Sequence, residues 1–271
     1  MISRYDHFAV SSPGGRAENQ DAHACFGFGD HGMGWVVADG LGGYAGGRAA
    51  SRIAIAAIGE YFETESGDPE FALSAGALDG ALKAAQSAIL AARKRQSELF
   101  RMHTTVVVLV SDGVIARWAH LGDSRLYHFR DGRLVAQTAD HSVSYMLHLA
   151  GEIGLSEIRG HEDRDGLLRS LGSEGSWKPA ILAEPVVLEP TDAFLLCSDG
   201  FWEYVLEEEM AADLAASATA RDWVHKMLDR LQNRVSGQHH DDPHDNYTVV
   251  AVRVDFAPQP RNRDPGTVTP K

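Results

Sequence analysis

The sequence is poor in cysteine. Its 271 residues include only two, Cys25 and Cys197. Two cysteines cannot form the disulfide framework that is typical of small secreted proteins, and so few of them fit a reducing compartment. Both lie in apolar runs, so we expect both to be buried structural residues. The cysteine content favours a cytoplasmic protein.

A membrane-spanning or targeting segment is also missing from the pattern. The longest apolar run, residues 106–110, is far shorter than the roughly 20 residues that a membrane helix needs. Residues 1–7 reach a charged side chain before an apolar segment can form. We therefore expect no membrane partner and no targeting segment.

Basic residues are too few to balance the acidic ones. The chain has 25 Lys and Arg against 38 Asp and Glu, which gives a net charge of −13. This surplus of acid disfavours nucleic acid as a partner, since a phosphate backbone requires a basic surface. It also repels phosphorylated substrates, so a site for such a substrate would need metal ions or a local arginine.

Apolar periodicity and turn residues predict strands and helices in separate groups. Strands joined by tight turns predict antiparallel sheets, and segregated helices predict layers that cover them. No linker is visible, so we expect one domain over residues 1–256, a mobile flap at about 140–180 and a disordered tail at 257–271. Strands are predicted at 5–10, 22–28, 34–38, 104–110, 114–121, 125–130, 133–137, 183–188, 193–197 and 247–254. Helices are predicted at 45–62, 69–100, 207–216 and 220–236.

Three apolar strands each carry an acid at one end. Asp39 and Asp199 follow apolar runs and precede a glycine, and Asp245 opens the last run. A strand end holds a carboxylate rigidly, and a glycine beside it allows backbone or ligand to approach closely. An Asp-Gly pair alone usually marks a turn. Three such acids together indicate a site for hard cations that bind oxygen ligands.

Eight motifs follow one another along residues 5–254. They are RAENQD, VADGLGG, the paired threonines 104–105, GDSR, DHS, RSLG, CSDGFW and DNYT. In the identity and order of these motifs, the chain resembles the metal-dependent protein Ser/Thr phosphatases, the protein phosphatase 2C family, and in particular their bacterial branch. This resemblance implies an α+β fold, a four-layer α-β-β-α sandwich whose two central sheets are mainly antiparallel.

The resemblance also implies a metal centre with two Mn²⁺ or Mg²⁺ ions. By position, Asp39 would bridge both ions, Asp199 and Asp245 would complete the first site, and the carbonyl group of Gly40 would serve the second. A water molecule shared by two such cations becomes a nucleophile near neutral pH. It would attack the phosphorus atom directly, without a phosphoenzyme.

Other motif positions take supporting roles under the same resemblance. Arg16 would clamp the phosphoryl oxygens, because a guanidinium group can pair with two of them. Asp21 would orient metal-bound water, and Asp123 would hold a weaker third ion together with Asp199. Family members more often carry Glu where this chain has Gln20, so the charge at the second ion is reduced here.

The residues leave two points open. Many eukaryotic relatives carry a histidine where this chain has Leu41, which cannot donate a proton to the leaving group. We therefore expect metal-bound water, or a histidine from elsewhere such as His141, to do so. The tract at residues 238–244 is either a solvated acidic loop or an additional metal site.

Three functions are compatible with this pattern. The first is a phosphatase of phosphoserine and phosphothreonine in proteins, which acts on the targets of a bacterial Ser/Thr kinase as that kinase's antagonist. The second is a hydrolase of small phosphoesters. The third is an interaction module without turnover, although such modules typically lose the metal-binding acids that are present here. We expect a monomer.

Overall fold

The computed structural model describes residues 5–65, 69–96, 100–174, 177–237 and 244–254. The strands are β1 (Tyr5–Ser12), β2 (Ala22–Phe28), β3 (Gly32–Ala38), β4 (Gly40–Leu41), β5 (His103–Thr104), β6 (Val106–Ser111), β7 (Ile115–Leu121), β8 (Arg125–Arg130), β9 (Arg133–Gln137), β10 (Ala180–Ile181), β11 (Val186–Val187), β12 (Ala193–Cys197) and β13 (Tyr247–Val254). The helices are α1 (Tyr44–Glu65), α2 (Pro69–Ala72), α3 (Ala75–Arg95), α4 (Val143–Leu149), α5 (Asp199–Trp202), α6 (Glu207–Ala215) and α7 (Ala220–Gly237).

Two antiparallel sheets form the centre of the molecule. One has five strands in the order β1-β13-β12-β8-β9. The other has six, with the order β10-β7-β6-β3-β2 and with β11 also paired to β7. All pairs of strands are antiparallel, as the tight turns of the sequence predicted.

Each inner strand is buried on both faces. In β6, Val106, Val108 and Val110 pack with the apolar residues of α1 and α3, whereas Val107 and Leu109 pack against the other sheet. Successive side chains of a strand point to opposite faces, so a strand between two apolar layers must be apolar throughout. The uninterrupted apolar run at 106–110 is therefore explained by its position between a sheet and a helical layer.

The helices cover the outer faces of the two sheets. α1 and α3 share a core with the six-stranded sheet. The helices α5, α6 and α7 share another with the five-stranded sheet, and a third core lies between the sheets. The predicted four-layer α-β-β-α sandwich is confirmed. No helix in the described ranges has the length and apolar character to cross a membrane.

The prediction of one helix over residues 69–100 is wrong. The chain breaks between α2 and α3, where the side chain of Ser74 accepts a hydrogen bond from the first turn of α3 at 3.0 Å. A serine hydroxyl competes with the helical backbone, so it is favoured at the start of a helix. Phe71, which lies within that predicted helix, is 41% exposed.

Two strand predictions also need correction. The run at 104–110 divides into β5 and β6 at Thr105, whose backbone N–H binds Asp39 instead of a ladder partner. The run at 183–188 forms only the two residues of β11. Short pairings of β10 and β11 with β7 take the place of one longer strand.

The expectation that both cysteines are buried holds for Cys197 only. Cys25 is exposed, because β2 is an edge strand whose Phe26 and Phe28 point inward. The alternation of the strand therefore places Cys25 on the solvent side.

The segment predicted as a flap is irregular. It contains α4, a 3-10 turn at Leu155–Gly160 and an isolated bridge between Ser142 and Leu167. Its predicted mobility stays a prediction. The predicted tail at 257–271 lies outside the described residues.

Candidate metal centre

Strand ends from both sheets converge on one cleft. Asp39 follows β3, Asp199 follows β12 and Asp245 precedes β13. The cleft has a volume of about 520 Å³. Its walls are formed by Arg16, Asp39, Leu41, Asp123, Arg164, Asp165, Leu167, Asp199, Gly200, Glu203, Tyr204, Val235, His244 and Asp245.

The backbone of Asp39 is fixed by the paired threonines. The N–H of Thr105 donates to the carbonyl oxygen of Asp39 at 2.8 Å, and the hydroxyl of Thr104 donates to the same oxygen at 2.7 Å. The N–H of Asp39 in turn donates to the hydroxyl of Thr105 at 3.1 Å. These bonds hold the Asp39 carboxylate at the end of its strand, which explains why the threonine pair accompanies the acid in the sequence.

Asp21 lies behind Asp39 and is buried. One carboxylate oxygen accepts a hydrogen bond from the hydroxyl of Ser198 at 2.7 Å, and the other, Oδ1, has no partner within the described residues. Burial, opposed in part by the Ser198 hydroxyl, raises the pKa of Asp21 to about 7. A buried acceptor without a partner is costly unless water or a cation satisfies it.

Five carboxyl groups are crowded together in and beside this cleft. Burial, followed by the charges of Asp21 and Asp199, raises the pKa of Asp39 well above its ordinary value. Burial and then Asp199 act in the same direction on the pKa of Asp123. The pKa of Asp199 rises to about 6, first through burial and then through Asp245. Such a cluster can be fully ionised near neutral pH only if cations balance it.

Two glycines beside the acids are required by close packing. A Cβ atom on Gly40 would lie 2.1 Å from the carbonyl oxygen of Gly47, and one on Gly200 would lie 2.1 Å from that of Asn246. Any other residue would push these segments apart. The Asp-Gly pairs therefore allow tight packing around the acids as well as turning the chain.

The residues fit hard divalent cations in charge and ligand type. The donors are carboxylate oxygens with the backbone carbonyl of Gly40 in an adjoining hollow of about 290 Å³, which Gln20 also lines. Among the described residues, no three His, Cys, Asp or Glu side chains form a ready-made ligand set. Mg²⁺ and related ions commonly use few protein ligands and keep several waters, so the donor set suits them.

Arg16 is positioned by the loop that contains Asn246. The side-chain amide of Asn246 donates to the carbonyl oxygens of Pro13 and Glu18 at 2.9 and 3.0 Å, and its oxygen accepts from the N–H of Gln20 at 2.8 Å. These bonds bind the Arg16 loop to the segment that carries Asp245. Arg16 therefore stands at the rim of the cleft, with its side chain 47% exposed.

Asp123 is held from the opposite side by Trp202. The indole N–H of Trp202 donates to the carbonyl oxygen of Asp123 at 2.9 Å. The guanidinium group of Arg125 stacks over the Trp202 ring at 3.4 Å and binds both carboxylate oxygens of Asp140, at 2.8 and 2.6 Å. A buried aromatic and ionic cluster thus fixes the backbone at Asp123.

His141 lies in surroundings that disfavour the role of leaving-group acid. Its Nδ1 accepts a hydrogen bond from the N–H of Gly122, and its ring stacks on His120 at 4.8 Å. Burial and the nearby His120 and Arg169 lower its pKa to about 3, and it is not among the residues that form the cleft. His141 as the leaving-group acid stays a prediction that these contacts disfavour, because a neutral imidazole with a lowered pKa is a weak general acid at neutral pH.

All seven predicted site residues lie in or beside this cleft. Sequence reasoning missed Arg164, Glu203, Tyr204 and His244 as wall residues. Glu203 follows Asp199 by one helical turn, a spacing that could have indicated it. His244 was considered only as part of the 238–244 tract, of which it alone is described, and its Nε2 donates to the carbonyl of Gly200 at 3.1 Å.

Comparison with known proteins gives a consistent result. The family model for protein phosphatase 2C matches residues 14–242. The chain is 32% identical over 219 residues to the serine/threonine protein phosphatase PstP of Mycobacterium tuberculosis, covering 81% of this chain and 40% of that protein. It is 28% identical over 227 residues to the serine/threonine phosphatase stp of Listeria monocytogenes, covering 84% and 86% of the two chains.

A solved structure agrees with the sequence comparison. The catalytic domain of PstP in complex with two manganese ions superimposes with a TM-score of 0.75 at 29% identity. The match covers 93% of this chain and 99% of that one. The chain thus spans 40% of the length of PstP, essentially its catalytic domain.

Proposed function

This chain belongs to the protein phosphatase 2C family, and we propose that it is a metal-dependent phosphatase of phosphoserine and phosphothreonine in proteins. One observation carries the proposal: a cleft with crowded, buried carboxyl groups on its floor has an arginine at its rim. The floor suits hard cations, and the rim suits the phosphoryl group that those cations would activate.

Four groups would hold two Mn²⁺ or Mg²⁺ ions. They are the carboxylates of Asp39, Asp199 and Asp245 and the carbonyl of Gly40, with Asp123 available for a weaker third ion. When bound, such ions acidify water and neutralise phosphoryl oxygens. The PstP catalytic domain in complex with two manganese ions supports this assignment.

The remaining residues orient the reaction. Arg16 would bind two phosphoryl oxygens through its planar guanidinium group, and its place in the cleft is secured by the Asn246 bonds. Asp21 would accept a hydrogen bond from water through its unpartnered Oδ1. The threonine pair would keep Asp39 in place as charge develops on the substrate.

The proposed substrate class is inferred from the named relatives and not from the fold. Bacterial relatives carry the names of serine/threonine protein phosphatases, so we propose phosphorylated proteins as the substrate class. We further propose that the protein acts in the cytoplasm as a monomer and opposes a Ser/Thr kinase.

The test measures turnover of four substrates in Mn²⁺, in Mg²⁺ and after EDTA treatment. We expect hydrolysis of phosphoserine and phosphothreonine peptides with either metal and none with EDTA. Free phosphoserine and p-nitrophenyl phosphate separate a protein phosphatase from a hydrolase of small phosphoesters. Preference for free phosphoserine over peptides, or full activity in metal-stripped enzyme, would contradict the proposal.

A further inference from the structure

The cleft has cationic side chains on two different walls. Arg16 comes from the N-terminal loop, and Arg164 comes from the flap segment 140–180. Among the described residues that line the cleft, these two are the only Lys or Arg side chains. Arg16 is already assigned to the phosphoryl group under the proposed function, so a different role is open for Arg164.

Arg164 is anchored to the segment that carries the metal-centre acid Asp199. Its Nε atom donates to Oε1 of Glu203 at 3.1 Å and lies 3.5 Å from Oδ1 of Asp165. The N–H of Glu203 donates to the carbonyl oxygen of Asp199 at 2.9 Å. The flap arginine is therefore held at a defined distance from the reaction centre instead of extending into solvent.

The anchor uses only one edge of the guanidinium group. Within the described residues, the Nη1 and Nη2 atoms of Arg164 have no hydrogen-bond partner, and the side chain is 40% exposed. Two parallel N–H donors on a fixed guanidinium match the geometry of a carboxylate or phosphate. Arg164 thus presents an oxyanion-binding face at the wall of the cleft.

We propose that Arg164 forms a subsite for an acidic group of the substrate, a carboxylate or a second phosphate close in sequence to the phosphorylated residue. This inference rests on the proposed function and names a substrate class for it. The rest of the wall repels such a peptide, since Asp165, Glu203 and Asp245 also face the cleft. Arg164 supplies the local positive charge that an acidic peptide would require in a chain of net charge −13.

A purely structural role predicts a different outcome. If Arg164 only neutralises Glu203 and Asp165, its replacement would change the turnover of all substrates to the same extent. If it binds an acidic side chain, its replacement would affect acidic peptides alone, and mainly through KM. The charge of the substrate therefore separates the two roles.

The experiment measures kcat/KM of the Mn²⁺-loaded full chain on two series of phosphoserine peptides. In one series each flanking position in turn carries Asp, and in the other it carries Asn. A doubly phosphorylated peptide tests whether a second phosphate can take the place of the carboxylate. We expect a preference of about fivefold in kcat/KM for Asp at the favoured position, the size of one partly exposed charge pair. Arg164→Gln should abolish this preference, and Arg164→Glu should transfer it to a matched Lys peptide.

Arg169→Gln is the matched control. Arg169 lies in the same segment but outside the residues that line the cleft, and it donates to the carbonyl of Lys178. The Arg169→Gln variant should keep the preference for peptides with Asp at the flanking position. Equal losses on Asp and Asn peptides in Arg164→Gln, or no preference in the wild type, would overturn the inference. Failure of the wild type to hydrolyse any phosphopeptide would instead refute the proposed function.

Discussion

The Nη2 atom of Arg16 donates a hydrogen bond to Oδ2 of Asp245 at 3.2 Å, although the two residues are 229 positions apart. The other oxygen of Asp245 accepts from the N–H of Asn246 at 2.7 Å. Both side chains are about half exposed, so the ion pair itself adds little to stability. Its significance is positional, because it places the proposed phosphoryl clamp beside a proposed metal ligand.

Replacement of Arg16 should weaken substrate binding. We expect Arg16→Ala to raise KM by about tenfold, the lower range for a lost charge-assisted pair, with a smaller effect on kcat. Arg16→Lys should recover only part of the loss, since an ammonium group cannot bind two oxygens side by side. Steady-state kinetics on a phosphoserine peptide measures both constants. Arg48→Ala is the control, because the Arg48 side chain has a similar exposure and forms a 3.8 Å ion pair with Glu18. Equal KM values in the Arg16 and Arg48 variants would contradict the proposed role of Arg16 as a clamp.

Replacement of Asp39 should remove metal binding. Asp39→Asn takes away the charge of the ligand proposed to serve both ions, so kcat should fall by about three orders of magnitude or more. Titration calorimetry with Mn²⁺ should show the loss of the tightest site. Asp79→Asn, on the surface of α3 and paired with Lys83, should bind Mn²⁺ as the wild type does. Unchanged calorimetry in Asp39→Asn would show that the bridging assignment is wrong.

The metal-free protein should lose stability through Asp21 as the pH rises. Because the folded-state pKa of Asp21 is raised to about 7, the folded state holds a proton that the unfolded state releases near pH 4. Stability from this group is therefore complete below about pH 4 and is lost as the pH rises through about 7. Histidines with lowered pKa values have the opposite effect on stability in part of this range. The contribution of Asp21 is therefore measured as the difference in Tm between Asp21→Asn and the wild type.

We expect the Tm of Asp21→Asn in EDTA to rise relative to that of the wild type between about pH 4 and pH 7. Thermal unfolding followed by circular dichroism measures this difference. A difference in Tm that stays constant over the range would mean that the Asp21 carboxyl is not perturbed by burial. Saturating Mn²⁺ should reduce the difference, because bound cations favour the ionised wild-type cluster.

Trp202 should control metal affinity at Asp123. Trp202→Phe keeps an aromatic ring against Arg125 but loses the N–H that binds the Asp123 carbonyl. We expect a higher Mn²⁺ concentration at half-maximal activity and weaker binding of the loosest ion in calorimetry. Trp223→Phe is the matched control, since its indole N–H donates to a buried carbonyl, that of Met210, at the same 2.9 Å. If both variants lower Tm and change metal affinity equally, the effect of Trp202 is only structural.

His141 should have no role in protonating the leaving group. Phosphoserine peptides need such help, whereas p-nitrophenyl phosphate, with its stable phenolate, needs little. We therefore expect His141→Asn to leave the ratio of the two kcat values unchanged across the pH range. A selective loss for the phosphoserine peptide would restore His141 as the acid.

The layered fold was predictable because it is encoded locally. Period-two alternation and uninterrupted apolar runs identify strands that are buried on one or both faces, as β2 and β6 show. The break at Ser74 and the exposure of Cys25 were missed for physical reasons. A single cap can outweigh helical periodicity, and the solvent side of an edge strand depends on which strand pairs with it.

The sequence by itself determined which acids belong together, because Asp39, Asp199 and Asp245 each sit at an apolar strand end and occur within motifs of one family. Only the tertiary structure decided that Arg164 and Glu203 join them and that His141 does not. Which wall a flap residue faces, and which imidazole nitrogen is occupied, depends on contacts between segments distant in sequence. Such contacts leave no periodic signal along the chain, so they emerge only when the two sheets are packed together.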